Sequence, residues 1–365
     1  MAGHGKKNSG VRILIIVLVI LIIVAGGVLA YKIIQDKQEV GTTTTEEKQN
    51  NILTGVSETK QVQIFKGNER PIAVMIDNHE DAWPQAGLQQ AYMVYEIIAE
   101  GGETRLMALF KGVDLDKIGP VRSARHYFLD YAMENDAIYV HFGQSPQAES
   151  DIKKYSIDDI NGISEDGTTF SRVKDKYAPH NAVTSTENLL QSAKNKKYRT
   201  TSDEESVLNY TVDEVNLNDG QGAINVTIPH SELQTVQYMY DEENKVYERI
   251  ARGEEQTDWD TGDIITVKNI IITFCNNYTL EDGENKGRQG LNNIGTFDGY
   301  YITNGKAIRI KCIKNARDEK TTYQDLEGNE IKVNDGNTYV HICPKNADVV
   351  LEAPESVQEA PMEGE

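Results

Sequence analysis

The sequence predicts an α/β N-terminal domain followed by a mainly β C-terminal domain, sandwich or barrel-like, placed behind an N-terminal transmembrane helix. Three observations carry that prediction. An uncharged apolar run occupies Ile13 to Ala30, short apolar runs alternate with helix-start signals between Arg70 and Arg199, and hairpin turns crowd the stretch from Asn225 to Cys343. A length of 365 residues also favours two domains over one.

Lys6, Lys7 and Arg12 form a basic N-terminus over 1–12, and the run ILIIVLVILIIVAGGVLA follows. Eighteen helical residues span about 27 Å, close to the hydrocarbon thickness of a bilayer. A secretory signal competes with this reading, since Val28-Leu29-Ala30 resembles a cleavage site. The run is longer than the roughly 7–15 residues of a signal's apolar core, so a retained anchor over 13–31 is preferred. The basic flank then stays in the cytoplasm and the folded part is extracytoplasmic. Residues 32–62 are polar, with a threonine run at Thr42 to Thr45, and read as a disordered spacer.

The α/β region is placed at 63–200. Ile72 to Ile76 is a short continuous apolar run ending in Asp77-Asn78-His79, the pattern of a buried strand whose C-terminal end opens onto a site. A brief helix is expected after Trp83-Pro84 through Gln90, then strands at Met93–Ile98 and Thr104–Phe110 around Gly101-Gly102. Proline is tolerated in a first helical turn, so Gly119-Pro120 reads as the start of a helix running to Asn135, with Ala124, Phe128 and Ala132 on one face. Ala137 to Phe142 is a further strand. Ser145-Pro146 then reads as an N-cap and first helical position, ahead of a nucleophile elbow, because Gln147 stands where the second elbow glycine belongs. Thr184 to Glu187 fits a capping box leading to a helix through Ala193.

Residues 201–343 change character. Thr235 to Tyr240 and Val246 to Ile250 flank a turn at Asp241 to Asn244, and Asn304-Gly305 is a strong hairpin signal between Gly299–Thr303 and Lys306–Ile313. Cys275, Cys312 and Cys343 fall in strand-like runs; burial as small apolar residues is preferred, and one disulfide stays open because the compartment would permit it. Residues 344–365 are acidic, punctuated by proline, and read as a disordered tail.

The net charge of −20, without a lysine- and arginine-rich run beyond the N-terminus, argues against nucleic acid. No histidine pair has zincin spacing, and His341 with Cys343 makes two ligands only, so neither a metal nor another cofactor is indicated. Arg122 and Arg125 are the charge anomaly. At a helix N-terminus two arginines are unfavourable by roughly 0.3–1 kcal/mol each unless an anion offsets them. That anion is either the protein's own Glu100 or Glu103, or a bound guest. Candidate ligand-binding residues are therefore Arg122, Ser123, Arg125, Arg105, Asp77 and Asn78. Candidate catalytic groups are Glu96, Glu100, Glu103, Asp77 and Ser145, with His126, His141 or His180 as possible bases.

PIAVMIDN at 71–78, VYEIIAEGGETR at 94–105, IGPVRSAR at 118–125, the Gly-x-Ser-Pro at 143–146 and DLEGNEIKVNDGNTYVHI at 325–342 together resemble the YerB-like family of bacterial envelope proteins. The resemblance covers most of the chain after the spacer. It implies an N-terminal and a C-terminal domain of unknown function, and supplies no activity. Family members are often lipoproteins held by a modified cysteine. No cysteine follows the apolar run here, so the anchor expected in this chain is protein rather than lipid. The family also places tryptophans near where Cys312 and Tyr339 stand, and whatever those tryptophans do is not transferred.

Three functional readings follow, in order of preference. The first is a membrane-tethered binding protein holding an anionic ligand, such as a carboxylate or phosphate of a cell-wall polymer. The second is an internal charge network that fixes the domain's shape. The third is an envelope hydrolase using Glu96, Glu100 or Glu103 with Asp77 as paired carboxylates. No protein partner is identified.

Overall fold

A computed structural model describes residues 61–354. The expected anchor at 13–31, nearly all of the spacer and the end of the tail lie outside the described residues. Among the described residues no helix is long and apolar enough to cross a membrane.

The N-terminal region supplies five strands to the main sheet, β1 (Ile72–Asp77), β2 (Met93–Ile98), β3 (Thr104–Phe110), β4 (Ile138–His141) and β5 (Asp159–Asn161). Its helices include α1 (His126–Glu134), α2 (Pro146–Lys154) and, after the single turn α3 (Gly162–Glu165), α4 (Thr186–Asn195). The strands that follow include β6 (Asn225–Pro229), β7 (Thr235–Asp241), β8 (Val246–Ala251), β9 (Asn269–Thr279), β10 (Gly295–Thr303), β11 (Lys306–Lys314), β12 (Thr322–Gln324), β13 (Thr338–Pro344) and β14 (Val350–Glu352). The first region is thus mixed α/β and the second largely β.

The two regions share one sheet. Its order is β12-β11-β10-β9-β13-β2-β3-β1-β4-β5, and the seam is a parallel pairing of β13 with β2, Met93 opposite Thr338 through Ile97 opposite Ile342. β13 also pairs in parallel with β9, so a strand from near the end of the chain closes the gap between the regions. A strand paired on both sides and covered on both faces runs mostly apolar, and β1, β2 and β3 are buried at every position, their polar Asp77, Glu96, Thr104 and Arg105 each having a polar partner. Alternate side chains then serve two cores. Ile72, Val74 and Ile76 pack with Val226, Ile228 and Val236 of a second sheet, ordered β8-β7-β6-β14. Ala73 and Met75 pack on the opposite face with Phe128 and Ala132 of α1.

Several expected elements change. The stretch 118–124 is not the first turn of a helix: Val121 bridges Ile76, Ala124 bridges Gln144, and Arg122 N–H donates to Met75 O at 2.8 Å. Its backbone groups are spent on neighbouring strands, so α1 begins only at His126, with Arg125 at the N-cap position. The helix expected after Trp83-Pro84 is replaced by two 3₁₀ turns, Glu80–Ala82 and Leu88–Gln90. The tail is ordered as far as β14, because Val350–Glu352 pairs with Asn225–Thr227 at the edge of the second sheet. Other expectations hold. Ser145 caps α2, its Oγ accepting from Ala148 N at 3.2 Å, and Pro146 takes the first turn. Ser185, one residue after the expected cap, caps α4. Asn304 and Gly305 both have positive φ, as the tight β10–β11 hairpin requires. All three cysteines are free and buried.

Candidate functional site

β1 ends at Asp77 and β3 begins at Thr104, antiparallel, with Asp77 opposite Arg105. The turn Glu100–Gly102 between β2 and β3 overhangs that end of the sheet, and its left-handed Gly101 and Gly102 let it fold back tightly. The segment 118–125 runs alongside. Together they form an open cleft of about 390 Å³ lined by Asp77, Glu100, Glu103, Arg105, Arg122 and Arg125, with His79 and Thr104. Lys286 and Arg288, from the loop between β9 and the short strand Gln289–Asn292 that pairs with it, complete the wall.

The cleft therefore holds five cationic side chains against three carboxylates. Glu100 is the hub. Arg125 Nε donates to its Oε1 at 2.5 Å and Arg105 Nη2 to its Oε2 at 3.1 Å. Burial raises the Glu100 carboxyl, yet the Arg125 hydrogen bond and the two guanidinium charges outweigh it and hold its pKa below the usual carboxylate range. Burial and the charge of neighbouring Arg125 pull Arg105 down to about 10 against the opposing charge of Glu100, so it stays protonated but is crowded by like charge. Arg105 is further anchored by Ser123 O at 2.6 Å, and Arg125 Nη1 by Ala124 O at 2.7 Å. Arg122 is looser, with Nε 3.4 Å from Asp77 Oδ2 and Nη1 3.5 Å from Pro179 O. Nη2 of both Arg122 and Arg125 carries no bond to another described residue. Arg288 is already shared between Asp282 at 2.5 Å and Glu284 at 2.7 Å.

Of the remaining sequence candidates, Glu103 lines the cleft but is paired outside it, and the others do not line it. Glu96 is fully buried beneath the cleft floor, paired with fully buried Arg249 at 2.6 Å and accepting from Thr104 Oγ1 at 2.7 Å. Asn78 belongs to the same buried network, donating to Thr104 Oγ1 at 2.8 Å. Glu103 pairs with Arg252 and accepts from Gln234 at 2.8 Å. Ser145 has its hydroxyl committed to the α2 cap, and Ser123 contributes its backbone carbonyl. Each flagged carboxylate thus has its own arginine. Of the possible bases, His126 and His141 sit away from the cleft, while His180 comes to its edge, with Nδ1 2.8 Å from Asp77 Oδ2. His79, Lys286 and Arg288 were not flagged in the sequence, where the last two look like ordinary charges in a polar glycine-rich loop.

Residues 53–199 match the family model described as "Protein of unknown function (DUF3048) N-terminal domain", and residues 224–340 match "Protein of unknown function (DUF3048) C-terminal domain". A Bacillus subtilis (strain 168) protein named "Putative lipoprotein YerB" is 30% identical over 306 residues, covering 80% of this chain and 85% of the relative. The crystal structure of YerB from Bacillus subtilis matches the present one with a TM-score of 0.70 at 28% identity, covering 80% of this chain and 97% of the other. Two family models in order, a relative aligned over most of both chains and a shared fold agree: the chain belongs to the YerB-like DUF3048 family of unknown function.

Proposed function

We propose that the chain is a membrane-anchored, extracytoplasmic cell-envelope protein that binds an anionic ligand, a phosphate or carboxylate of a wall polymer, in the cleft at Arg122 and Arg125. One observation carries the reading. In a protein of net charge −20, this cleft gathers a cationic excess, and two of its lining arginines have an Nη2 without an acceptor among the described residues. Hydrogen bonds to charged groups contribute about 1.5–3 kcal/mol each, so two such donors suffice to orient an anion. The envelope placement draws support from the relative named a lipoprotein and from the uncharged run at 13–30 behind a basic flank.

The test is ligand-induced thermal stabilisation of the full chain by inorganic phosphate, a phosphate-bearing wall polymer and a polycarboxylate. A ligand at one hundred times its Kd stabilises by about 2.7 kcal/mol. Arg122→Ala should lose most of that stabilisation while the ligand-free protein melts within a degree or two of wild type. Its contact with Asp77 is long and partly exposed, and such pairs contribute about 0–1 kcal/mol. Absence of any shift with all three ligands, or a shift unchanged by Arg122→Ala, removes the proposal.

A further inference from the structure

Beside the arginine cleft, His79, Asp81 and His180 each offer one ligand atom, and these atoms lie within 4.8 Å of one another. Asp81 Oδ2 is 3.5 Å from His79 Nδ1 and 3.9 Å from His180 Nε2, and the two imidazole rings stack with centroids 4.5 Å apart. The hydrogen bonds indicate which nitrogen of each ring is without a proton. Asp77 Oδ2 at 2.8 Å takes the proton of His180 Nδ1, which leaves Nε2 with its lone pair. Asp81 N–H donates to His79 Nδ1 at 3.2 Å, so that nitrogen too carries a lone pair. Two imidazole nitrogens and a carboxylate oxygen thus lie close together, with only the Asp81 N–H already drawn on by one of the nitrogens.

We propose that His79, Asp81 and His180 form a binding site for a first-row divalent metal ion, Zn²⁺ being the natural probe, at the rim of the arginine cleft. Zinc–nitrogen bonds of about 2.0–2.1 Å set tetrahedral ligand edges near 3.4 Å, so Asp81 already stands near that edge from His79 at 3.5 Å and within about half an ångström of it from His180 at 3.9 Å. Imidazole with one carboxylate suits such ions rather than Ca²⁺ or Mg²⁺, which favour all-oxygen shells. Asp77 supplies the outer support, a carboxylate on the far nitrogen of a ligating histidine that sets the tautomer and ring orientation. The Asp81 N–H released by coordination is on an exposed residue and turns to water. With three protein ligands a fourth position stays open, and His79 lies on the cleft lining, so the proposed anion would be shared between the metal and Arg122. That last clause rests on the anion-binding reading of the cleft.

A second trio, Glu96, His230 and His341, is a poorer candidate. It is wholly buried, Glu96 is committed to Arg249 and Thr104, and His341 Nδ1 already faces His230 Nε2 at 3.0 Å.

The experiment is a Zn²⁺ titration of chelator-stripped full-length protein by calorimetry, with Asp81→Asn, His79→Ala, His180→Ala, Asp77→Asn and, as control, His230→Gln. The expected result is one ion per chain, bound at least about tenfold more weakly on loss of any of the three ligands. Asp77→Asn should weaken it about 10–100-fold, and His230→Gln should leave it unchanged. Asp81 is exposed, so Asp81→Asn should melt like wild type in chelator and decides the matter even where a histidine variant fails to fold. Zinc affinity unaltered by Asp81→Asn overturns the proposal. So does loss confined to His230→Gln, or the absence of a stoichiometric ion, which would make the trio a protonated histidine pair on Asp81. Phosphate-induced stabilisation in chelator is read separately: its presence without zinc binding sinks the metal site alone, and zinc binding without it sinks the anion reading alone.

Discussion

The Glu96–Arg249 pair offers the sharpest test of what the arginine–carboxylate pairs contribute. Both side chains are fully buried, with Arg249 Nη2 2.6 Å from Glu96 Oε2. Arg249 Nη1 donates to Tyr238 Oη at 2.6 Å and Nε to Gln256 Oε1 at 2.5 Å, so the guanidinium is held on three sides. Burial raises the Glu96 carboxyl, yet Arg249 above all, with the nearby histidines and Thr104, brings it down to about 2. Arg249→Met removes the cation and leaves that carboxylate buried and unpaired. Losing one partner of a buried pair costs about 3–5 kcal/mol, whereas replacing both by apolar or neutral groups of similar volume is often close to neutral. At roughly 2–4 °C per kcal/mol the single variant should melt about 6–20 °C lower. The Arg249→Met/Glu96→Gln double variant should recover a large part of the loss. Thermal melts followed by the fluorescence of Trp83 and Trp259 measure both. If the single variant melts within a degree or two of wild type, or if the two changes simply add, the pair is not coupled and the reasoning is wrong.

Other outcomes are expected. A folded-state pKa depressed below its ordinary value gives stability that is present above the ordinary value and lost as pH falls through the folded one. Glu96 should therefore contribute an acid-labile component between about pH 4.5 and 2, absent in Glu96→Gln. His126 is lowered from 6.5 to about 4 by burial and by the charge of Arg317, so the unfolded chain takes its proton first. Stability should fall from pH 6.5 towards 4, and His126→Gln should flatten that slope. Burial pushes the Cys275 and Cys312 thiols up to about 12 and Cys343 well above its usual value. A thiol reagent should label none of them in the native protein at pH 8 and all three after denaturation. Protein extracted from membranes should retain Met1 or Ala2, and a new N-terminus at Tyr31 would refute the retained anchor.

The strands were legible because their signal is local. Ile72–Asp77, Met93–Ile98 and Thr104–Phe110 stand where apolar runs end in polar residues, and the Asn304-Gly305 hairpin where two residues must take positive φ. Gly119-Pro120 misled because proline at a first helical turn is a statistical signal. Here the backbone of 118–124 is claimed by Met75, Ala86, Gly143 and the stretch 182–184, partners from four separate places in the chain. β14 misled for a related reason: a polar, proline-flanked stretch has no core signal, yet an edge strand needs only a neighbour's free hydrogen-bonding row. The site divides in the same way. Asp77, Glu100, Glu103, Arg105, Arg122 and Arg125 were reachable because they end or connect adjacent strands. His180 meets Asp77 across 103 positions, and Lys286 and Arg288 arrive from the other region of the shared sheet. No spacing rule encodes such meetings.

Whether the arginines face a guest or the protein's own glutamates was posed by the sequence as a choice, and the geometry shows the glutamate half of it while leaving room for the proposed guest. Glu100 occupies Nε of Arg125 and Nη2 of Arg105, and backbone carbonyls occupy one further nitrogen of each. What remains on Arg125 is Nη2, and on Arg122 the side turned from Asp77. A guest that displaced Glu100 would have to break two charge-assisted bonds, each contributing about 1.5–3 kcal/mol, and leave a partly buried carboxylate unpaired. A guest that adds to the set breaks nothing and finds the guanidinium planes already fixed, which lowers the ordering cost of about 0.5–1.5 kcal/mol per long side chain. Glu100 is therefore better understood as the strut that aims the arginines than as their rival for an anion. On that reasoning Glu100→Gln should weaken anion binding even though it makes the cleft more positive.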